Sequence, residues 1–220
     1  MKTFKVFAAL LDYPQPELIE ALPVLRAALD EERMLDRDAR RAIDVLLEEL
    51  RGRDLIDLQE RYVGFFDRVR SLSLHLFEHV HGESRDRGQA MVDLKQQYAT
   101  RGFELAGSEL PDFLPVFLEF LSVCRFEEAR EQLAETAHIV EALEARLRKR
   151  GSAYASVLSA LLAIAGVEPD EIVVSDADIR KEDAPETLDA LWQEEPAFGG
   201  PPCGGDRAQP AQAVVHFHRR

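Results

Sequence analysis

Apolar side chains recur at three- and four-residue spacing along most of this chain, and that pattern restricts the fold more than any other feature. Ile43, Leu46, Leu47 and Leu50 share one helical face, as do Leu55, Leu58, Tyr62 and Phe66. Met91, Leu94 and Tyr98 repeat the spacing, followed by Phe113, Phe117, Phe120 and Cys124, then Leu133, Val140, Leu143 and Leu147. Strict alternation occurs only in Ser71-Leu72-Ser73-Leu74-His75-Leu76-Phe77. No second strand stands near it, so it reads as an extended connector. The predicted class is all-α: a single compact helical bundle with a flexible C-terminal tail.

Local signals place the helix ends. Thr3 is the expected cap of a first helix over Phe4–Leu11, which Asp12-Tyr13-Pro14-Gln15-Pro16 breaks, because residues before proline avoid helical geometry. A second helix starts at Pro16 and reaches Leu29, with Pro23 expected to kink or split it. Further helices are predicted over Asp36–Leu50, closed by Gly52, and over Asp54–Asp67. Ser84 or Asp86 is the expected cap of the helix that runs to Arg101-Gly102. The helix Asp112–Val123 is apolar almost all round and should lie at the centre. One long helix is expected over Glu127–Arg150, acidic at its start and basic at its end as the helix dipole favours, and another over Ala153–Ala165.

Composition divides the chain. Residues 1–167 form the expected helical domain. Glu168–Glu195 holds eleven acids against Arg180 and Lys181, most of the net charge of −14, and reads as an acidic, partly helical extension. From 196 to 220 glycine and proline recur, as a flexible tail requires. A balance this acidic argues against nucleic acid, whose phosphates need a basic surface. No apolar run approaches the ~20 residues of a membrane span, and the start lacks a basic, apolar leader. The expected location is therefore the cytoplasm, without direct membrane insertion. Cys124 and Cys203 are too few for a disulfide framework, and Cys124 is expected to pack on its apolar face.

Polar chemistry concentrates between Leu58 and Leu121. His75, Glu78, His79, His81, Ser84, Arg85, Asp86 and Arg87 crowd into one short segment between helices, where a site is expected. The histidines match no standard zinc spacing, and on a helix His79 and His81 would point about 200° apart. Neither a phosphate-binding glycine loop nor a nucleophile elbow occurs. Most of Tyr62, Phe65, Phe66, Phe77, Met91, Tyr98, Phe113, Phe117 and Phe120 should be core. Adjacent Phe65 and Phe66 cannot face the same way, so one is spare for a partner. A groove between helices with an acidic rim would take a basic amphipathic peptide. An adaptor for some other amphipathic helix, and a metal-dependent enzyme built on the histidines, are the competing readings.

The run Leu76-Phe77-Glu78-His79-Val80-His81-Gly82-Glu83-Ser84-Arg85-Asp86-Arg87-Gly88-Gln89-Ala90-Met91 resembles the NarJ-type nitrate reductase assembly chaperones, within the wider TorD/DmsD/NarJ group. Leu11-Asp12-Tyr13-Pro14, Tyr62 with Phe66, Tyr98 with Gly102, and Leu110-Pro111-Asp112-Phe113-Leu114-Pro115 with Leu118-Glu119 support it. The likeness extends over about residues 4–195. The wider group has histidine after Pro-Asp where this chain has Phe113, so no role of that histidine carries over.

The resemblance implies a chaperone that is not an enzyme and binds no cofactor stably. Its client would be the apo catalytic (alpha) subunit of respiratory nitrate reductase, recognised through an N-terminal peptide. The client would be held until bis-molybdopterin guanine dinucleotide is inserted, with cofactor-biosynthesis proteins as further partners. The residues expected to meet the client are Tyr62, Phe65, Phe66, Glu78, His79, His81, Arg87, Met91, Tyr98, Asp112, Phe113, Phe117 and Glu119.

Overall fold

In the computed structural model, ten α-helices and no strand occur among the described residues. These are 1–81, 85–105, 107 and 109–167, with Ile172, Val174, Ser175, Ala177, Ile179, Lys181 and Ala184 beyond them. The predicted extension and tail otherwise lie outside the described residues.

The first helix, α1 (Lys2–Leu11), buries Phe4, Phe7, Leu10 and Leu11 completely. Thr3 is not its cap. It sits inside the helix, fully buried, and the free N–H groups of Lys2 and Thr3 donate instead to the carboxylate of Glu32. Burial works against that carboxylate's charge, but the hydrogen bonds from Thr3 and Lys2 hold it below its usual range. Glu32 ends α2 (Pro16–Glu32), which runs unbroken through Pro23. The expected split is absent because Pro23 faces solvent, and water can satisfy the carbonyl that proline leaves unpaired. Asp36 caps α3 (Arg37–Gly52), accepting from Asp38 and Ala39 at 2.9 and 2.8 Å.

The predicted helix over Asp54–Asp67 is two pieces. After α4 (Leu55–Tyr62) the chain widens into a π-turn over Val63–Asp67, in which the Arg68 N–H donates to the Val63 carbonyl at 3.0 Å. A short 3₁₀ turn, Arg70–Leu72, follows. The expected extended connector is therefore largely absent. Only the region of His75 is extended, bridging antiparallel to Phe113, and Leu76 already begins α5 (Leu76–His81). Its partner, Phe113, lies 38 positions along the chain, where no local pattern announces it. The next helix, α6 (Arg85–Thr100), has Asp86 inside its first turn rather than at the cap.

The apolar helix α7 (Leu114–Val123) lies central, packed on α1, as its composition predicts. Cys124 stands just past its end, half-buried, and packs against the core as expected. The expected long helix is broken at Thr136 into α8 (Phe126–Glu135) and α9 (Ala137–Lys149), so the acidic and basic ends belong to different helices. The last, α10 (Ala155–Ala165), is apolar except for Ser156 and Ser159. It packs on α9, α8, α3 and α1 and closes on left-handed Gly166. Residues of α1, α7 and α10 thus share one core, roofed by the amphipathic α2, α3, α8 and α9.

Candidate functional site

Two clefts flank the entry to α7, and the aromatic residues divide between them. The first, of about 220 Å³, is lined by Asp12, Tyr13, Tyr62, Phe66, Asp67, Leu74, His75, Glu109 and Phe113. A shallower depression of about 520 Å³ shares Tyr13 and continues over Ile56, Gln59, Glu60, Val63 and Arg68. The floor is a ladder of rings. Tyr13 meets Tyr62 edge-on at 5.5 Å, Tyr62 tilts on Phe66 at 4.8 Å, and Phe66 meets Tyr154 edge-on at 5.3 Å. The Tyr62 hydroxyl donates to the Leu11 carbonyl at 2.9 Å, which fixes the ladder to the end of α1. The π-turn sets its phase by widening the chain where Phe66 turns inward. Such turns recur at functional sites.

Carboxylates of Asp12, Glu60, Asp67 and Glu109 stand around this apolar floor. Burial raises the Asp67 carboxyl, and the nearby His75 lowers it in part. The wall on the α7 side is Phe113, with the His75 ring tilted on it at 5.2 Å.

Behind that wall, Asp112 is fully buried and organises the segments around it. Its carboxylate accepts from His75 Nδ1 at 3.2 Å and from the Phe77 N–H at 3.1 Å, while its carbonyl accepts from the Leu76 N–H at 3.0 Å. Asp112 therefore caps α5 from a distant part of the chain, where a negative charge suits the helix dipole. Arg87 of α6 pairs with Glu78 at 3.2 Å and approaches Asp112 at 3.8 Å. The Asp112 hydrogen bond raises the His75 pKa, and burial opposes it. His79 Nε2 donates to the Ser73 carbonyl at 2.8 Å. Tyr98, fully buried, donates to the Pro111 carbonyl at 2.7 Å and so holds the turn that presents Asp112 and Phe113.

The second cleft, of about 350 Å³, opens between α5, α6, α7 and α8, with Phe77, Leu94 and Phe117 among its apolar residues and Asp93 and Glu135 among its polar ones.

The predicted site residues separate accordingly. Tyr62, Phe66 and Phe113 come together in the first cleft, and Phe117 lines the second. Tyr98 and Asp112 are wholly buried, with structural bonds. Glu78 and Arg87 pair beside Asp112, and His79 is engaged by Ser73. The spare aromatic is Phe65, half-buried under the Arg61 guanidinium at 5.9 Å rather than in either cleft. Met91 is half-buried on α6, and Glu119 is exposed on α7. His81 ends α5, and its side chain lies outside the described residues. The segment that had to be extended for His79 and His81 to chelate a metal is helical. Among the described residues no group of three or more histidine, cysteine or acidic side chains could hold a metal.

Sequence reasoning missed Tyr13, Asp67 and Glu109 as cleft residues. Tyr13 carried a usable signal: an aromatic ring set in a Pro-rich break, off any helical face.

Comparison with known proteins bears on this arrangement. The family described as "Nitrate reductase delta subunit" matches residues 32–160, more than half of the chain. The chain belongs to the nitrate reductase delta subunit family. The nitrate reductase molybdenum cofactor assembly chaperone NarJ of Escherichia coli K12 is 41% identical over 203 residues, covering 90% of this chain and 86% of the relative. The probable assembly chaperone NarW of the same strain is 39% identical, covering 89% and 82%. The probable NarJ of Bacillus subtilis 168 is 34% identical over 161 residues, covering 73% and 86%. The segments that resembled NarJ-type chaperones, Leu76–Met91 and Leu110–Glu119, meet at Asp112, which accepts from the Phe77 N–H and stands beside the Arg87–Glu78 pair. Among the described residues no helix is long and apolar enough to cross a membrane.

Proposed function

We propose that this chain is the assembly chaperone of a respiratory nitrate reductase. It binds the apo catalytic subunit in the cytoplasm and holds it open for insertion of bis-molybdopterin guanine dinucleotide, without retaining that cofactor itself. The 41% identity to a NarJ chaperone across 90% of the chain carries this reading.

The client's N-terminal peptide lies, in this proposal, along the Tyr13–Tyr62–Phe66–Phe113 cleft. Two features support that placement. Exposed Tyr13 and half-buried Phe113, backed by the buried rings of Tyr62 and Phe66, offer apolar area to one face of a short helix, and the surrounding carboxylates complement basic residues on its other face. Asp112, Tyr98, Glu78, Arg87 and His79 act one layer back by fixing Phe113 and His75. Phe117 and Met91 belong to the opposite side, where the second cleft or the adjoining surface can meet another part of the client.

The test is calorimetric titration with a peptide copying the N-terminus of the same organism's nitrate reductase catalytic subunit, against a scrambled control. One-to-one binding at micromolar or better, about −8 kcal/mol, is the expected result. No heat, together with failure to co-purify with the apo subunit, would overturn the reading.

A further inference from the structure

We propose that the groove accepts the client's helix in one direction only, with the helix's first turn at the Asp12–Asp67–Glu109 end and its last turn against Arg68. The proposal rests on the client peptide's lying in this groove, and it makes Arg68 the residue that reads direction. A helix is not symmetrical. Its first turn presents free N–H groups and carries a partial positive charge, and its last turn presents free carbonyls and carries a partial negative one. A groove of uniform charge holds such a peptide either way round. A groove charged differently at its two ends does not.

The two ends of this groove differ. Tyr13 is the lining residue they share. On one side of it stand the carboxylates of Asp12, Asp67 and Glu109, all exposed. His75 is the one lining group there that can become a cation, and its ring is committed to Asp112. On the other side stand Glu60 and Arg68, also exposed, so the charges there cancel. Arg68 enters no ion pair among the described residues, and its guanidinium is therefore available to a ligand.

The backbone builds this division from two consecutive residues. Asp67 ends the π-turn, and Arg68 follows it with φ −85° and ψ −33°. Side chains one step apart on such a backbone point about 100° from each other, so Asp67 lines only the first end and Arg68 only the second. The joint between the ends is fixed, because Gln59 Nε2 donates to the Pro14 carbonyl at 2.8 Å and ties the Tyr13 segment to α4. With the client helix's first turn among the three carboxylates and its last turn at Arg68, both dipole ends are matched. Turned round, both are opposed. The forward direction should be favoured about tenfold. The client chain that follows the peptide then leaves over α4, where Ile56 is 65% exposed.

The experiment places a photoreactive benzoylphenylalanine at either the first or the last helical position of the peptide used for calorimetry. Each peptide is irradiated with the full chain, and the cross-links are mapped by mass spectrometry. The probe at the first position should mark residues 74–75 or 109–113, and the probe at the last position residues 56–63. Arg68→Glu, a change at an exposed side chain, should weaken peptide binding about tenfold in 50 mM salt, with the gap narrowing at 500 mM. Arg68→Gln should weaken it about threefold. With Arg68→Glu each probe should also mark both ends. Reversed marking on the wild type, or marking of both ends by each probe, overturns the direction and leaves the client reading intact. The expected marking with unchanged affinity and pattern in Arg68→Glu overturns the part given to Arg68. Absence of peptide binding by the wild type overturns the client reading, and the direction with it.

Discussion

The fully buried carboxylate of Asp112 accepts a hydrogen bond from the His75 imidazole at 3.2 Å, and it joins two segments 37 positions apart. The same carboxylate caps α5 through the Phe77 N–H. One side chain thus holds the α5 entry, the His75–Phe113 bridge and the wall of the first cleft. Asp112→Ala leaves the Phe77 N–H and the His75 ring without their partner. The expected cost is about 3 kcal/mol, a fall of roughly 6–12 °C in Tm by calorimetry. Asp112→Asn keeps one acceptor oxygen and should fall between.

His75 makes part of that stability depend on pH. Its hydrogen bond to Asp112 raises its folded pKa above the ordinary 6.5, despite burial, with Glu78 assisting and Arg87 opposing. A group whose folded pKa is raised binds its proton more readily when folded. Its contribution is therefore complete below about pH 6.5 and is lost as pH climbs through the folded value. Thermal melts from pH 5.5 to 8.5 should show the stability gap between the wild type and His75→Gln shrinking as pH rises.

Tyr62 and Tyr98 each donate a buried hydroxyl to a backbone carbonyl, of Leu11 and Pro111 respectively. Burial pushes both phenols well above their ordinary pKa. Tyr98→Phe should cost about 1 kcal/mol and weaken client binding far less than Phe113→Ala, because the ring remains and only the turn that presents Phe113 loosens. Chemical denaturation and peptide titration on the same variant separate the two effects.

Phe113 and Tyr13 line the first cleft, whereas Phe65 lies under Arg61. Phe113→Ala and Tyr13→Ala should each weaken client-peptide binding roughly tenfold or more. Phe65→Ala should change it less than threefold. A larger effect at Phe65 than at Phe113 would move the client site to the α4 surface.

Pro23 interrupts the bonding of α2 at an exposed position. Pro23→Ala restores an N–H donor one turn past Ile19 and removes the ring's clash. Entropy regained by the unfolded chain offsets part of that gain, so stability should rise by about 1–2 kcal/mol, read as a higher denaturant midpoint.

Periodicity alone determined that this chain is helical, where α3, α7 and α10 run, and that α7 is central, because an apolar stripe must be buried wherever it occurs. It also made aromatic residues near Tyr62 and Phe66 visible as candidates. Where periodicity misled, the cause was local rather than global. Thr136 breaks a helix whose pattern continues across it, and Pro23 fails to break one because it stands at an exposed position, where water can satisfy the Ile19 carbonyl that it leaves without a donor.

Tertiary structure alone decided which aromatics share a cleft. Tyr13 and Phe113 meet Tyr62 and Phe66 only because a π-turn re-phases the chain and the His75–Phe113 bridge brings the α7 entry alongside. The same holds for Asp112, whose place in the sequence marks it as a start to α7 but whose carboxylate serves α5. A carboxylate's partner is set by what the fold brings within about 3 Å, and spacing along the chain carries no record of that distance.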